Sequence, residues 1–420
     1  MSATRPPPPT HAPLTQFPFS DGELLVGGVP LSQLAMQVGS TPFYAYDRQA
    51  ITQRVALLRA QLPASIHLHY AIKANPLPEL VRHLGQLVDG LDVASAGELG
   101  KAIDAGVSAQ HISFAGPGKR DEELEAAVAA GVLLNVESFR EARALADISA
   151  RNGKPARIAV RVNPDFELKS SGMKMGGGPK QFGVDAEQVP ALLDEIGQIG
   201  LAFEGFHIFA GSQNLRADAI IEAQHLSYQL ALRLAAHAPG PVKSLNLGGG
   251  FGIPYFPGEQ RLELAPIAEV LQGIADDAGR NLPGARLVLE LGRYLVGEAG
   301  IYVTRVVDRK QSRGLTYLVV DGGLHHHLAA SGNFGQVIRK NYPVAIYPQN
   351  GQRNASAAQA ERVTVVGPLC TPLDVLGDQI ECNGRAEIGD FVVLFQSGAY
   401  GASASPAAFL SHPAVKEVLV

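Results

Sequence analysis

The stretch RLVLELG (286–292) is a short apolar run that contains an acid and ends in a glycine. Seven similar runs precede it, separated by stretches rich in Ala, Leu and Glu with apolar residues at helical spacing. In chain order the eight runs are HLHYAI (67–72), LDVAS (91–95), ISFAG (112–116), LLNVES (133–138), RIAVRVN (157–163), FEGFHIF (203–209), SLNLGGG (244–250) and RLVLELG (286–292). Eight strand–helix units predict an α/β chain with a (β/α)8 TIM barrel. A doubly wound open sheet also alternates strands and helices, but the count of eight and the lack of a G-x-G-x-x-G turn after the first strand favour the barrel.

A second, smaller module follows the barrel. Runs such as LTYLVVDGG (315–323) and GDFVVLFQSG (389–398) are short and β-branched, with closely spaced turn residues. They predict an all-β domain, a barrel or sandwich, that takes its first strand from the N-terminal stretch GELLVGGVPLSQLA. The predicted domains are a flexible proline-rich tail (1–14), the barrel (40–295), and a β domain built from 15–39 and 296–420.

Composition excludes several classes of protein. The 420 residues are 46% apolar and 18% charged, so the chain can bury a large core and is not globally disordered. A net charge of −5 without a basic block gives no footprint for nucleic acid, and no apolar run is long enough to predict a membrane span. Two cysteines are too few for a disulfide framework. The N-terminal tail lacks the apolar core of a signal peptide, so a cytoplasmic protein is expected.

Two long polar segments interrupt these patterns. The first, KSSGMKMGGGPKQFG (169–183), is predicted to be a mobile loop over the active face of the barrel. The second, at 347–362, is predicted to be a solvent loop.

Candidate chemistry lies where barrel strands end, because active sites of this fold are built at the carboxyl ends of the strands. Lys73 follows the first run. It is either a surface lysine or one that holds a cofactor aldehyde as a Schiff base. Gly248, Gly249 and Gly250 end the seventh run. They form either a flexible turn or a turn whose backbone N–H groups approach a phosphate without Cβ obstruction.

The eighth run supplies Glu290 and Arg293. The pair fits a structural ion pair, or a site for pyridoxal phosphate. In the second case Glu290 bonds the pyridine nitrogen and keeps it protonated, while Arg293 adds positive charge at the phosphate.

At this point the sequence resembles the fold-type III pyridoxal phosphate decarboxylases, the group of diaminopimelate, ornithine and arginine decarboxylases. The segments that carry the resemblance occur in the family's order from about residue 25 to 410. They are HYAIKANP, LDVASAGEL, LNLGGGFGIPY, ELGRYLVGEAG, GPLCTPLDVL and QSGAYG. The resemblance implies a lyase with pyridoxal 5'-phosphate as cofactor, a barrel plus a β domain, and a homodimer whose active sites are shared between subunits.

The resemblance also implies individual roles. Lys73 matches the Schiff-base lysine, Glu290 the acid on the pyridine nitrogen, and Cys370 the partner-supplied residue that reprotonates Cα. Asp92 and Glu98 match the acids of the second-strand motif. The phosphate side is matched by Ser212, Gly248, Gly249, Gly250, Gly292, Arg293 and Tyr400.

Two departures from the family pattern stand out. Aligned without a gap, Phe209 occupies the position of a histidine that stacks on the cofactor, and His207 lies two residues earlier on the same strand face. A phenyl ring stacks as well as an imidazole, but it exchanges no proton. After Cys370, diamine-cleaving members have an acid for the substrate's distal ammonium, whereas this chain has Thr371 and Pro372. The next acid is Asp374. The candidates for substrate binding are Asp321, Thr371, Asp374 and Tyr400.

The missing acid shifts the expected substrate, because an unpaired buried ammonium is costly. The sequence looks closer to decarboxylases that act on modified or carrier-tethered amino acids, the butirosin-type and the exosortase-associated members. We therefore expect α-decarboxylation of an amino acid or derivative, free or on a carrier protein. Diaminopimelate decarboxylase is the runner-up, followed by an amino-acid racemase, in which an arginine replaces Glu290. A degenerate binding homologue is a third rival, and the retained candidate residues oppose it.

The triplet His325–His327 suggests a metal site at first sight. Consecutive strand residues alternate faces, so the three side chains cannot converge on one ion, and no metal is predicted. We expect one or two of them at the substrate entrance near Asp321 and the others in solvent.

Overall fold

The computed structural model describes residues 9–168, 173–336, 338–349, 360–382 and 384–420. The chain divides into two compact units. A barrel unit comprises residues 52–253 and 262–295, and a β unit comprises 1–51, 254–261 and 296–420. The domain bounds given in the sequence analysis remain a prediction, which this division does not test.

The N-terminal region forms short strands and one helix. They are β1 (Phe19–Ser20), β2 (Glu23–Val26), β3 (Val29–Pro30), α1 (Leu31–Val38) and β4 (Phe43–Tyr46). The first three strands make a small antiparallel sheet of their own. The strand that this region adds to the main sheet of the β unit is β4. It lies beyond the stretch 22–35, which was predicted to supply that strand. All four residues of β4 are buried, which suits a central strand.

Strands and helices then alternate along the chain. The elements are α2 (Arg48–Gln61), β5 (Ile66–Ala71), α3 (Pro78–Gly85), β6 (Gly90–Val93), α4 (Ala96–Asp104), β7 (Ile112–Phe114), α5 (Asp121–Ala130), β8 (Leu133–Val136), α6 (Phe139–Asn152), β9 (Arg157–Asn163), β10 (Met173–Lys174), β11 (Val184–Asp185), α7 (Val189–Ile199), β12 (Ala202–Ile208), β13 (Gly211–Ser212), α8 (Ala217–Ala235), β14 (Ser244–Gly249), α9 (Ala265–Asn281), β15 (Arg286–Leu291) and α10 (Arg293–Val296).

Eight parallel strands close into a barrel in the order β5–β6–β7–β8–β9–β12–β14–β15, with β15 pairing β5. Each strand coincides with one of the eight apolar runs, so the predicted barrel is confirmed. The strands are buried nearly throughout, as parallel strands covered on both faces must be, which explains why they read as continuous apolar runs. No helix among the described residues is long and apolar enough to cross a membrane.

Short polar signals set the helix ends. The Ser138 hydroxyl accepts a hydrogen bond from the Glu141 amide at the start of α6, and Gly153 ends that helix in a left-handed conformation. In α4, Ser95 caps the Glu98 amide while the Glu98 carboxylate accepts from the Ala94 amide at 2.7 Å. Such caps fix where each helix leaves the strand before it.

The β unit is built on a long strand. Its remaining strands are β16 (Gly300–Ser312), β17 (Leu315–Val320), β18 (Val344–Tyr347), β19 (Glu361–Val366), β20 (Val375–Cys382), β21 (Phe391–Leu394) and β22 (Lys416–Leu419). They run in the order β18–β21–β16–β17–β19–β20, while β4 pairs both β16 and β22. The core lies between the small N-terminal sheet and these strands, around Phe43, Ile301, Val303 and Val393. The predicted all-β module is confirmed.

The two segments predicted to be loops lie partly outside the described residues. Of the segment 169–183, residues 169–172 are not described, and of 347–362, residues 350–359 are not described. The ends of the second segment belong to strands, since Tyr347 closes β18 and Glu361 opens β19.

Candidate active site

Lys73 lies at the mouth of the barrel, in a 3₁₀ turn (Ile72–Ala74) directly after β5. Its side chain is 44% exposed, whereas Ile72 and Ala74 are buried. The Lys73 Nζ lies 3.6 Å from Glu290 Oε1 and 5.6 Å from the centroid of the Phe209 ring. The two residues meet because the first and last strands of a closed barrel are neighbours. The amine is thus accessible and faces a carboxylate.

Glu290 is the acid of this pair and is 7% exposed. Its Oε2 lies 3.1 Å from His207 Nε2, although the ring is not aligned for a straight hydrogen bond. Burial opposes ionisation, but Lys73, His207 and Arg161 outweigh it and hold the pKa of Glu290 well below its ordinary value. Glu290 is therefore a carboxylate at neutral pH.

His207 and Phe209 take different positions at the end of β12. His207 is 2% exposed and faces Glu290, whereas Phe209 is half-buried, just past the strand end, and faces Lys73. The two rings lie edge to face, with centroids 6.4 Å apart. Phe209 is thus the ring beside the amine, and His207 is a buried partner of the acid.

The three-glycine turn at the end of β14 has no room for side chains. Gly248 and Gly250 have φ values of +67° and +74°, in the left-handed region that glycine favours. A Cβ on Gly249 would lie 2.4 Å from the Glu290 carbonyl oxygen, and one on Gly250 would lie 2.5 Å from that of Gly211. Only glycine therefore fits at these positions, and the turn carries no side chains that would cover its backbone N–H groups.

The other phosphate-side candidates of the barrel unit lie on neighbouring segments. Ser212 is half-buried in β13, and Gln213 after it has a φ of +56°. Gly292 separates β15 from α10, and a Cβ there would lie 3.0 Å from that of Ala74. Arg293 is half-buried and begins α10.

Asp92 and Glu98 have partners within the barrel. Asp92 ends up 6% exposed, with Oδ1 3.1 Å from His69 Nδ1 on the adjacent strand. Glu98 completes the α4 cap described above, and burial raises its pKa. Asp92 thus fixes the His69 ring, and Glu98 stabilises the turn after β6.

A buried network of charges was missed by the sequence analysis. Arg161 donates to Glu137 Oε1 at 3.1 Å, and Lys119 lies 2.8 Å from Glu141. Burial opposes the ionisation of Glu137, but Arg161, Lys119 and two backbone amides hold its pKa below its ordinary value. Lys119 and Glu137 follow the ends of β7 and β8, Glu141 lies in α6 and Arg161 lies in β9. Arg161 also lowers the pKa of Glu290. The available signal was a charged residue in two of the apolar runs, Glu137 in LLNVES and Arg161 in RIAVRVN.

The described part of the glycine-rich segment is bonded to residues at or after the carboxyl ends of barrel strands. Met173–Lys174 pairs with Gly211–Ser212, the Gly177 amide donates to Asn163 Oδ1, and the Gly183 amide donates to Glu137 Oε2. Residues 173–177 and Gly183 are thus anchored at the barrel mouth, whereas residues 178–181 are exposed.

The remaining predicted site residues belong to the β unit. Cys370 and Pro372 are exposed, Thr371 is half-buried, and Tyr400 is half-buried with a φ of +53°. Asp321 accepts from the Thr41 hydroxyl and, at 2.9 Å, from the Arg305 amide. Asp374 is 2% exposed, and the Leu324 and Leu369 amides donate to its two oxygens. Both aspartates therefore have partners inside this unit, which does not favour a substrate-binding role.

The expectation that part of His325–His327 faces solvent is wrong. All three are at most 1% exposed and lie in a turn after β17, not on a strand. His326 Nε2 lies 2.8 Å from the Pro413 carbonyl oxygen, and His327 Nε2 lies 2.9 Å from Ser397 Oγ. Burial, with His326 and His412 nearby, lowers the pKa of His325 to about 4, and burial lowers that of His327 to about 3. These rings are neutral at pH 7 and pack as part of the core. Among the described residues, no group of three or more His, Cys, Asp or Glu could hold a metal ion.

The barrel residues fit pyridoxal phosphate. That cofactor needs an accessible amine for its aldehyde, an ionised acid for its ring nitrogen and a close approach of backbone for its phosphate. Lys73 and Glu290, whose side chains lie 3.6 Å apart, would supply the first two. The turn at Gly248–Gly250, which carries no side chains, would supply the third.

Comparisons with known proteins agree with this geometry. The family model described as "Pyridoxal-dependent decarboxylase, pyridoxal binding domain" matches residues 48–297. The L-glutamyl-[BtrI acyl-carrier protein] decarboxylase of Niallia circulans is 39% identical, over 90% of this chain and 88% of its own length. The 2-[(L-alanin-3-ylcarbamoyl)methyl]-2-hydroxybutanedioate decarboxylase of Staphylococcus aureus is 32% identical, over 91% of this chain and 95% of its own length.

The fold matches a solved enzyme of the same kind. Diaminopimelate decarboxylase from Helicobacter pylori, in complex with L-lysine, superposes with a TM-score of 0.79 at 27% identity. The match covers 92% of this chain and 93% of that one. The family match, the identities and the site geometry agree that this chain belongs to the pyridoxal-dependent decarboxylases, enzymes that use pyridoxal phosphate to remove a carboxylate from an amino acid or its derivative.

Proposed function

We propose that the protein decarboxylates an amino acid whose distal end is neutral, acylated or tethered to a carrier protein. The observation that carries the proposal is the loop after Cys370. Thr371 and Pro372 stand where the family resemblance expects an acid, and the next carboxylate, Asp374, is buried with both oxygens bonded to backbone amides. A distal ammonium would find no anionic partner on this loop, so desolvating it would be costly.

Two relatives support this substrate class. The name of the Niallia circulans enzyme specifies a glutamyl group on an acyl-carrier protein. The name of the Staphylococcus aureus enzyme specifies an alanin-3-yl group joined through a carbamoyl group, which is an amide rather than an ammonium. Both names describe substrates without a free distal amine.

The barrel residues would divide the chemistry as follows. When bound, pyridoxal phosphate supplies an electron sink for the pair left behind as carbon dioxide departs. We assign Lys73 to covalent attachment of the cofactor, until the substrate amine takes its place, and to release of the product amine when Lys73 bonds the cofactor again. Glu290, ionised and buried, would hold a proton on the ring nitrogen. The glycine turn, Ser212 and Arg293 would hold the phosphate.

We assign the final proton transfer, to Cα, to Cys370 of a second copy of the chain. In support, Cys370 and Pro372 are exposed, and Leu373 beside them is an apolar side chain that is 58% exposed. Phe334 and Ile338 are likewise 45% and 77% exposed, and Asn333 of the same segment bonds the Leu373 carbonyl. An apolar surface around a reactive residue is what a homodimer with shared active sites would cover. A cytoplasmic location stays a prediction.

Substrate preference gives the first prediction. Diaminopimelate, lysine, ornithine and arginine are expected to be decarboxylated at least about tenfold less efficiently than a glutamyl carrier-protein conjugate, because a charge-assisted bond worth roughly 1.5–3 kcal/mol is missing. The measurement is carbon dioxide release from each substrate at matched concentration. Thr371→Glu is expected to raise activity toward the distal-ammonium substrates.

The matched control is Thr371→Gln, because glutamine is as long as glutamate but carries no charge. It should leave the activity toward the distal-ammonium substrates low. Decarboxylation of meso-diaminopimelate by the unmodified protein with a kcat/KM above about 10⁴ M⁻¹s⁻¹ would contradict the proposed substrate class.

The shared site gives a second prediction. Lys73→Ala and Cys370→Ala homodimers are each expected to be inactive or severely slowed, and mixing them under subunit exchange should restore activity. In a mixed dimer, one site combines the wild-type Lys73 of one subunit with the wild-type Cys370 of the other. The assay is turnover before and after exchange, with exchange followed by mass-tagged subunits. Proven exchange without recovery would refute shared sites.

A further inference from the structure

The loop that carries Cys370 has a closed base and an open tip. The Gly367 amide donates to the Asp374 carbonyl oxygen at 3.0 Å, which joins the two ends of the loop. At the tip, Cys370, Pro372 and Leu373 are exposed. The rigidity of the base therefore determines where the thiol stands.

The base is filled by the side chain of Asp374. Its Oδ2 accepts from the Leu369 amide of the same loop at 2.9 Å, and its Oδ1 accepts from the Leu324 amide, after β17, at 2.6 Å. The residue is 2% exposed. One carboxylate thus ties the residue just before Cys370 to a separate segment of the β unit.

Two glycines make room for this carboxylate. A Cβ on Gly323 would lie 2.4 Å from Asp374 Oδ1, and a Cβ on Gly367 would lie 2.2 Å from Oδ2. Neither glycine has a positive φ, so the close approach, not the backbone conformation, is what requires them. Burial raises the pKa of Asp374, opposed by the two amides and by His412. Burying a carboxylate in so small a space costs free energy. A loop without a positional role would not require a buried acid at this place.

We propose that Asp374 is a positioning residue for Cys370. The Asp374 carboxylate fixes the base of the loop, so that the Cys370 thiol stands where a proton must be delivered. The inference rests on the proposed role of Cys370. It replaces the earlier hypothesis that Asp374 binds the substrate, because its two oxygens are already bonded and shielded from solvent.

A double-mutant cycle tests the inference. Asp374→Asn keeps the size but places an NH₂ group against a backbone N–H. It is expected to lower kcat about tenfold to a hundredfold, since small misplacements of a reacting group have such effects. The KM and the affinity for pyridoxal phosphate should stay within about twofold. In a Cys370→Ala background, Asp374→Asn should slow the reaction by no more than about twofold, because it acts only through the thiol.

The matched control is Asp378→Asn, an exposed aspartate on β20, the strand that begins directly after Asp374, and it should change neither kcat nor KM. Gly367→Ala keeps the carboxylate but displaces it, so it should repeat the kcat defect and serves in the same cycle should Asp374→Asn unfold. Hydrogen exchange provides a readout without turnover. The Leu324 and Leu369 amides should exchange at least about tenfold faster in Asp374→Asn.

The outcomes separate the two proposals. An equal loss of kcat from Asp374→Asn in the wild-type and Cys370→Ala backgrounds would overturn the positioning role and leave that of Cys370 intact. Unchanged exchange at Leu324 and Leu369 would also overturn it. A fully active Cys370→Ala enzyme would instead overturn the role of Cys370, and the inference would fall with it.

Discussion

Replacing Lys73 with alanine is expected to abolish decarboxylation while the barrel stays folded. The amine is the proposed site of cofactor attachment, and nothing else on the strand end replaces its chemistry. Because the side chain is 44% exposed and follows the end of β5, its removal leaves no core cavity. Turnover, the absorbance of lysine-bound cofactor and the melting temperature together measure the outcome.

Lys73→Arg is the matched control. It keeps a cation close to Glu290, so the electrostatics of the pair are largely preserved, but a guanidinium cannot hold the aldehyde covalently. This variant should also be inactive, which would show that activity requires covalent attachment of the cofactor and not only a positive charge at position 73. A covalent cofactor band that survives in both variants would show that another amine binds the cofactor.

Replacing Glu290 with glutamine should lower turnover by at least about a hundredfold, or ~2.7 kcal/mol of transition-state stabilisation. The amide is nearly the same shape, but it carries no charge to keep the ring nitrogen protonated. Steady-state turnover with saturating pyridoxal phosphate measures the effect. Glu290→Asp, which keeps the charge on a shorter side chain, should lose less. Near-normal turnover of Glu290→Gln would show that this residue does not hold the nitrogen.

The pKa of Glu290 also predicts how stability changes with pH. The pKa is lower in the folded protein than the ordinary value of about 4.3 expected in the unfolded chain. The ionised acid therefore contributes stability that is fully present above that value and is lost as the pH falls toward the folded pKa. The gap in unfolding free energy between wild type and Glu290→Gln should accordingly narrow on acidification below about pH 4.

The structure shows what changes when residue 209 is a phenylalanine instead of the histidine of the family pattern. The family resemblance placed a phenyl ring where a histidine stacks on the cofactor. In the structure Phe209 faces the amine of Lys73, and the imidazole of His207 lies against the carboxylate of Glu290. Both residues thus belong to the site, but only Phe209 is open to a bound ring. The phenyl ring offers stacking without a proton, so acid–base chemistry falls to other residues.

The barrel could be predicted from the sequence because its signal is local. Most barrel strands are buried on both faces, so they read as apolar runs, and the polar residue that ends a run marks the mouth of the barrel. Lys73 and Glu290 were found in this way, more than two hundred residues apart in the chain. The rule that parallel strands present their carboxyl ends on one side of a barrel sufficed to bring them together.

Only the tertiary structure decided which charges are paired and which side chains are buried. The contacts of Arg161 with Glu137, and of Asp374 with Leu324, join residues that no local pattern connects. The histidines at 325–327 read as polar surface, yet all three are buried, and the rings of His326 and His327 bond to Pro413 and Ser397 from distant segments. A sequence fixes the chemistry of each side chain, but a buried polar group is stable only beside a partner, and closure of the fold selects that partner.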